Sequence, residues 1–183
     1  TVVTAKYTPT VVPVTPTATP AETTDIQGAT QTGKPEFKGG TVDIDGVEKS
    51  VAINEAVPAT FDDGSTTKTV EGVGTYTVAP DGTVTFVPEK SFVGTAPAVT
   101  VVREDKNGTK ASATYTPTVT AVTPTATPAE TSAVQGATQS GKPTFTEGNS
   151  RVPMNDDVPA TFDDGSTTNI VEGVGTYTVA ADG

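Results

Sequence analysis

Two parts of the chain are near copies of one another, and that repetition limits the possible folds more than any other feature. "VTPTATPAET" from Val14 returns at Val122, and "QGATQTGKP" from Gln27 returns as "QGATQSGKP" from Gln135; "KYTPTV", ending at Val11, returns as "TYTPTV", ending at Val119. All three share an offset of 108 residues. Further on, "VPATFDDGSTT" from Val57 returns at Val158 and "VEGVGTYTVA" from Val70 returns at Val171, with an offset of 101. The seven missing residues fall where "GTVDIDGVEKSVAINEAV" from Gly40 in the first copy faces "GNSRVPMNDDV" from Gly148 in the second. A unit of roughly 100 residues is too long for solenoid repeats that bury their core only against neighbours, and long enough for an autonomous sandwich. The spacing predicts three pieces: residues 1–12 as the closing strand of a preceding repeat, 13–119 as a complete repeat domain, and 120–183 as the N-terminal part of the next. That last copy is incomplete, so its strand edges need cover. The chain reads as a piece of a longer one, since it opens with neither an initiator Met nor a leader peptide.

Composition then selects the fold class. The chain has no Leu, Trp, Cys or His, and Thr makes up about a fifth of its 183 residues. Thr and Val are stiff at the β-carbon and suit pleated strands, while the residues that build helical cores are scarce. Gly and Pro together number 33, so strands are short and turns many. The prediction is all-β: tandem antiparallel β-sandwich-like domains joined by short Pro/Thr-rich seams. With 22 acidic against 11 basic residues the formal charge is −11, which argues against nucleic-acid backbones and anionic membrane surfaces. No apolar run is long enough to span a bilayer.

Within the complete repeat, "VGTYTVA" and "GTVTFVP" flank Pro80-Asp81-Gly82 and read as a hairpin, with Tyr76 and Val78 on one face and Val84 and Phe86 on one face. "PAVTVVRED" and "TKASATYTPTV" form a second around Lys106-Asn107-Gly108. Earlier strands are expected in "KPEFKG", "TVDIDG", "KSVAINEAV" and "TTKTVEG". The expected core is Tyr76, Val78, Val84, Phe86, Phe92, Val99 and Val101. "VVPVTPTATPAETTDIQGATQTG" carries prolines at 13, 16 and 20, so it reads as an extended seam or edge segment that spaces neighbouring domains.

Six acids invite a chemical reading. Asp62-Asp63 and Asp163-Asp164 sit in "TFDDGSTT", and Asp43 and Asp45 in "VDIDG" share a face if the strand is regular. Any of these pairs could contact a calcium ion, yet two carboxylates fall short of the spaced ligand set of an EF-hand. The favoured reading of "FDDGST" is a turn, in which Asp accepts from following amides and Gly takes the positive φ. "VDIDG" is replaced in the second copy by Asn155, Asp156 and Asp157, so no function common to every repeat depends on it. A glycosidase pair lacks an aromatic platform, His base chemistry is excluded, and no cofactor is expected, so the chain is read as a non-enzyme. Asn107-Gly108-Thr109 matches a glycosylation sequon and is better explained as a hairpin turn. A Lys-to-Asn isopeptide bond would lower the intact mass by one ammonia.

"GVGTYTVAPDGTVTFVPEKSFVGTAPAVTVVREDKNGTKASATYTPTV" and the "TPTATPAET…QGATQ" opening resemble the repeats of CshA-type fibrillar adhesins of Gram-positive bacteria, over essentially the whole chain. That resemblance implies a cell-surface stalk, anchored to the wall through a C-terminal signal and projecting an N-terminal adhesive region. It further implies adjacent repeats as partners, with host matrix proteins such as fibronectin bound through other regions. The alternative is a repeat that itself binds a matrix protein, a carbohydrate or a partner-cell surface protein. Neither reading involves nucleic acid or membrane insertion.

Overall fold

Every regular element of the chain is a β-strand, as the excess of Thr and Val over helix formers dictates. The computed structural model describes residues 1–183 and divides into two units, Thr1–Ala121 and Val122–Gly183.

The first unit carries thirteen strands: β1 (Thr17–Thr19), β2 (Ala21–Ile26), β3 (Gln31–Gly33), β4 (Glu36–Lys38), β5 (Gly40–Ile44), β6 (Val47–Val51), β7 (Thr60–Phe61), β8 (Thr67–Val70), β9 (Gly74–Val78), β10 (Val84–Pro88), β11 (Gly94–Thr95), β12 (Val99–Glu104) and β13 (Lys110–Thr120). One sheet runs β3-β10-β9-β8 and a second runs β11-β13-β12-β7, with β2 added on β13. Both expected hairpins form: β9 pairs β10 across Pro80-Asp81-Gly82, and β12 pairs β13 across Lys106-Asn107-Gly108. Buried Asp105 fastens the second turn, its Oδ1 accepting from the amides of Asn107 at 2.8 Å and Thr109 at 2.9 Å.

Alternation puts one face of each sheet inside. From the first sheet Tyr76, Val78, Val84 and Phe86 are buried; from the second come Phe61, Val99, Val101, Tyr115 and Val119, and the two sets form one cluster. The two sheets therefore sandwich a single core. Tyr76 and Phe86 meet with ring centroids 4.6 Å apart, and Tyr76 Oη donates to the Pro97 carbonyl at 2.7 Å. Six of the seven expected core residues are buried; Phe92 is only half-buried at the margin. Phe61, Tyr115 and Val119 were not in the expected set, because "TFDD" looked like loop and β13 was read for its turn more than its faces.

The stretch from Val11 to Gly33, expected as an extended seam or edge segment, supplies edge strands from Thr17 onward. Thr17–Thr19 pairs with β4, Gln31–Gly33 pairs with β10, and Ala21–Ile26 pairs with β13 in the parallel sense, the exception in an otherwise antiparallel fold. Pro16 and Pro20 lie outside these strands, so the missing donors break no ladder.

The second unit has four strands: β14 (Thr125–Thr127) pairs β15 (Thr144–Thr146), and β16 (Thr168–Val171) pairs β17 (Gly175–Thr178). By the offsets above these are the counterparts of β1, β4, β8 and β9. Residues 129–134 and 139–141, counterparts of β2 and β3, form no strand. Their partners β13 and β10 have no counterparts within residues 122–183. Tyr177 is accordingly half exposed, while its counterpart Tyr76 is fully buried.

Candidate functional site

The duplicated acidic loop is a tight turn in both copies. Phe61 N donates to Ser65 O at 2.8 Å and Gly64 N to Phe61 O at 2.9 Å; the corresponding bonds from Phe162 and Gly165 are each 2.9 Å. Gly64 and Gly165 take φ values of 82° and 80°, where a side chain would be strained. Asp63 Oδ1 accepts from the amide and hydroxyl of Ser65 at 2.9 and 2.7 Å, and Asp164 Oδ1 from the Ser166 amide at 2.8 Å. These bonds hold the Asp63 and Asp164 carboxyls below the usual carboxylate range.

Lys68 distinguishes the first copy. Its ammonium pairs with Asp62 and, at 3.5 Å, with Asp63, and lies 5.5 Å from the centre of the Phe61 ring. The Lys68 bond lowers the Asp62 pKa and Asp62 in turn raises that of Lys68. A cation bound by Asp62 and Asp63 would have to displace this ammonium. In the second copy Asn169 stands in that position, beside Asp163 and Asp164.

Asp43 and Asp45 are not brought together. Asp43 lies on β5 and accepts from the Gly46 amide at 2.9 Å, whereas Asp45 sits in the turn with a φ of 55°. With Gly46 at 78°, these two residues make the tight hairpin turn that favours Asp-Gly. The regular strand assumed for "VDIDG" ends at Ile44, so the common face is lost. Nowhere do three acidic side chains converge as a metal site would need.

A different set of residues does converge, where the opening segment meets the closing strand. Thr23 on β2 donates its hydroxyl to Gln31 Oε1 at 2.6 Å and lies 2.7 Å from Tyr115 Oη. A hydroxyl has one proton, and Thr23 spends it on Gln31, so Tyr115 is the donor to Thr23. Buried Gln31 completes the chain by donating Nε2 to the Thr118 carbonyl at 2.9 Å. Three strands are thereby tied: β2, β3 and β13. The Tyr115 ring lies against Gly33, where any β-carbon would overlap it. Burial pushes the Tyr115 hydroxyl up in pKa.

Of this latch, the Thr–Gln bond recurs in the second unit. Thr131 donates to Gln139 Oε1 at 2.8 Å in the second copy, and Tyr7 occupies the position of Tyr115 one repeat earlier. Sequence reading missed it because polar residues in a Pro/Thr-rich stretch look like solvated linker. The available signal was the co-repetition of "ETT" or "ETS", "QGATQ" and "YTPTV" at the same offset of 108. Beside the latch runs the parallel ladder, in which Ala21 faces Tyr115 and each step continues to Ile26 facing Thr120.

A family model described as the surface adhesin CshA repetitive domain matches residues 13–119 and 121–183. The NMR structure of repeat domain 13 of the fibrillar adhesin CshA from Streptococcus gordonii shares 61% sequence identity with this chain, over 37% of this chain and 86% of that one, with a TM-score of 0.22. No curated protein matches.

Proposed function

The chain belongs to the CshA repetitive-domain family, adhesin repeats of the cell surface, and from that membership we propose that its repeats build the stalk that holds an adhesive region away from the cell. The carrying observation is the direction of the opening and closing segments of one repeat. β2 runs parallel to β13, residue for residue from Ala21 beside Tyr115 to Ile26 beside Thr120. Carried back in the same register, Thr15 stands level with Thr109. The chain therefore comes in at the end of the sandwich that holds the Lys106-Asn107-Gly108 turn and goes out at the opposite end. Eleven strand residues at about 3.3 Å each separate the two ends by roughly 35 Å. A tandem series of such domains gains length with every copy.

Residues 1–12 fit the role of a closing strand. Positions 5, 7, 9 and 11 are Ala, Tyr, Pro and Val, identical to the four buried positions Ala113, Tyr115, Pro117 and Val119 of β13. On this reading residues 13–119 form one domain and 120–183 open the next, with adjacent repeats as partners and the wall anchor and adhesive region elsewhere in the parent protein.

The geometry also suits a load-bearing element. Tension pulls β2 toward its own start and β13 toward its own end. Two parallel neighbours pulled this way slide against each other, so all bonds of the ladder are loaded together and none can peel first. The acidic turns add only negative charge, which keeps stalks from clumping. No step of this role needs a catalytic group.

Small-angle scattering on arrays of one to four complete repeats tests the proposal. The maximum dimension is expected to rise by about 35–40 Å per repeat, with no saturable binding to matrix proteins. Much smaller increments would mean that repeats fold back on one another, and saturable binding would end the stalk as sole role.

A further inference from the structure

The seven-residue difference between the copies falls on the β5–β6 hairpin, and the tip of its apolar face, Ile44 and Val47, is exposed. β5 and β6 pair only with each other, with Gly40 opposite Val51, Val42 opposite Lys49 and Ile44 opposite Val47. These pairs share one face, so Val42, Ile44, Val47 and Val51 line up on it, while Asp43, Glu48, Thr41 and Ser50 occupy the other. Ile44 is 38% and Val47 52% exposed. A lone two-stranded ribbon is marginally stable in water.

Register shows where the hairpin goes. β4 pairs antiparallel with β1, Lys38 opposite Thr17, and two residue pairs on, a β-carbon at Gly40 would collide with the Thr15 carbonyl and the Val14 side chain. β5 therefore leaves the domain running back along the incoming chain. Extended through Gly39 and Gly40, that register sets Val42 level with Pro13 and Ile44 level with Val11, residues left exposed in this chain. Val11 occupies the position of Val119, the last buried residue of the closing strand, so the hairpin tip reaches alongside the end of the upstream domain. Only Val12, Pro13 and Val14 link the two, a span of about 10 Å.

The sequence at that end changes together with the hairpin. Ahead of the hairpin-bearing copy the chain reads "VVPV" from Val11; ahead of the other it reads "VTAV" from Val119. Thus Val12 and Pro13 offer apolar surface where Thr120 and Ala121 stand in the second case. There the hairpin is replaced by a tight turn closed by Val152 N to Asn149 O at 2.8 Å, although Gly148 still abuts Thr123 as Gly40 abuts Thr15.

We propose that the β5–β6 hairpin is a clasp that lays its apolar face, Ile44 and Val47 foremost, over Val12 and Pro13 at the end of the upstream repeat and stiffens that joint. The proposal rests on the tandem-array reading above. The hairpin then stiffens the joint ahead of its own repeat.

The test uses the full chain extended upstream by a copy of residues 13–108, so that residues 1–12 close a whole repeat. Nuclear Overhauser contacts from the Ile44 and Val47 methyls to Val12 are expected. The β5–β6 amides are expected to exchange at least about tenfold more slowly than in the Ile44→Thr/Val47→Thr variant. Val12→Thr, which leaves the hairpin untouched and copies the second joint, is expected to produce the same loss of protection. Absent contacts with equal exchange in all three proteins would overturn the clasp, as would contacts seen only between differently labelled molecules. Burial of the Tyr7 ring in the same spectra reports separately whether the upstream repeat folds; if it does not, the array reading fails and the clasp falls with it.

Discussion

Replacing Tyr115 by alanine is expected to lower the stability of the first unit by about 3–5 kcal/mol, the range for deleting a large buried aromatic ring. Folded domains hold only about 5–15 kcal/mol in total, so the change removes a large share of it. Three effects combine at this residue. The ring is fully buried between the two sheets and fills the space that Gly33 leaves open. Its hydroxyl donates to Thr23, which is committed to Gln31, so its removal leaves part of a buried polar chain unpaired. It also sits at the first step of the parallel ladder. Tyr115→Phe keeps the ring and isolates the hydrogen bond, with an expected loss of about 1 kcal/mol. Tyr7→Ala is the control: the same residue of the motif, 89% exposed in this chain, is expected to leave the unit unchanged. Urea titration of the three variants reads the differences as shifts in midpoint at constant slope. Equal midpoints for Tyr115→Ala and Tyr7→Ala would refute the latch.

Raising the pH from about 10 to about 12 is expected to remove roughly 2–3 kcal/mol through Tyr76 alone, at 1.36 kcal/mol per unit. Burial, and secondarily the neighbouring Tyr115, push the Tyr76 hydroxyl up to about 12. An unfolded tyrosine ionises near 10, so above that pH the unfolded chain releases a proton that the folded one retains. The contribution is complete below pH 10 and disappears as pH climbs through the folded value. Tyr115 shifts in the same direction and steepens the loss. Tyrosinate absorbance, followed together with the unfolding midpoint, should show the two buried rings ionising only as the sandwich opens. Ionisation of Tyr76 and Tyr115 near pH 10 with no loss of structure would contradict this picture of the core.

The fold class and both hairpins were legible in the sequence because they are written locally. Alternation around Pro80-Asp81-Gly82 and around Asn107-Gly108 fixes strand, turn and face within about fifteen residues. What escaped was decided by distant partners. "AETTDI" and "AETSAV" are nearly the same segment, yet Ala21–Ile26 is a strand and residues 129–134 are not. The difference is β13, some ninety residues away in the chain and present beside only one of them. No local propensity can report that, so the segment reads from sequence as a seam or an edge strand with no partner named. The latch escaped for a related reason: Thr23 and Gln31 look like solvated linker until Tyr115 and the Thr118 carbonyl arrive to satisfy them. Among the acids, the turns at Asp63 and Asp164 were readable from Asp-Gly-Ser, whereas the Lys68 ammonium over Asp62 depends on how β8 returns past β7.

In the proposed stalk each repeat is an independent domain whose opening and closing strands carry tension in shear. Pulling a tandem array of the complete repeat end to end by single-molecule force spectroscopy tests it. The expected trace is a series of discrete, equal unfolding events, each releasing about 350 Å of chain, at a force that drops in an array carrying Tyr115→Ala. A smooth extension without discrete events, or events whose force ignores Tyr115, would contradict the account.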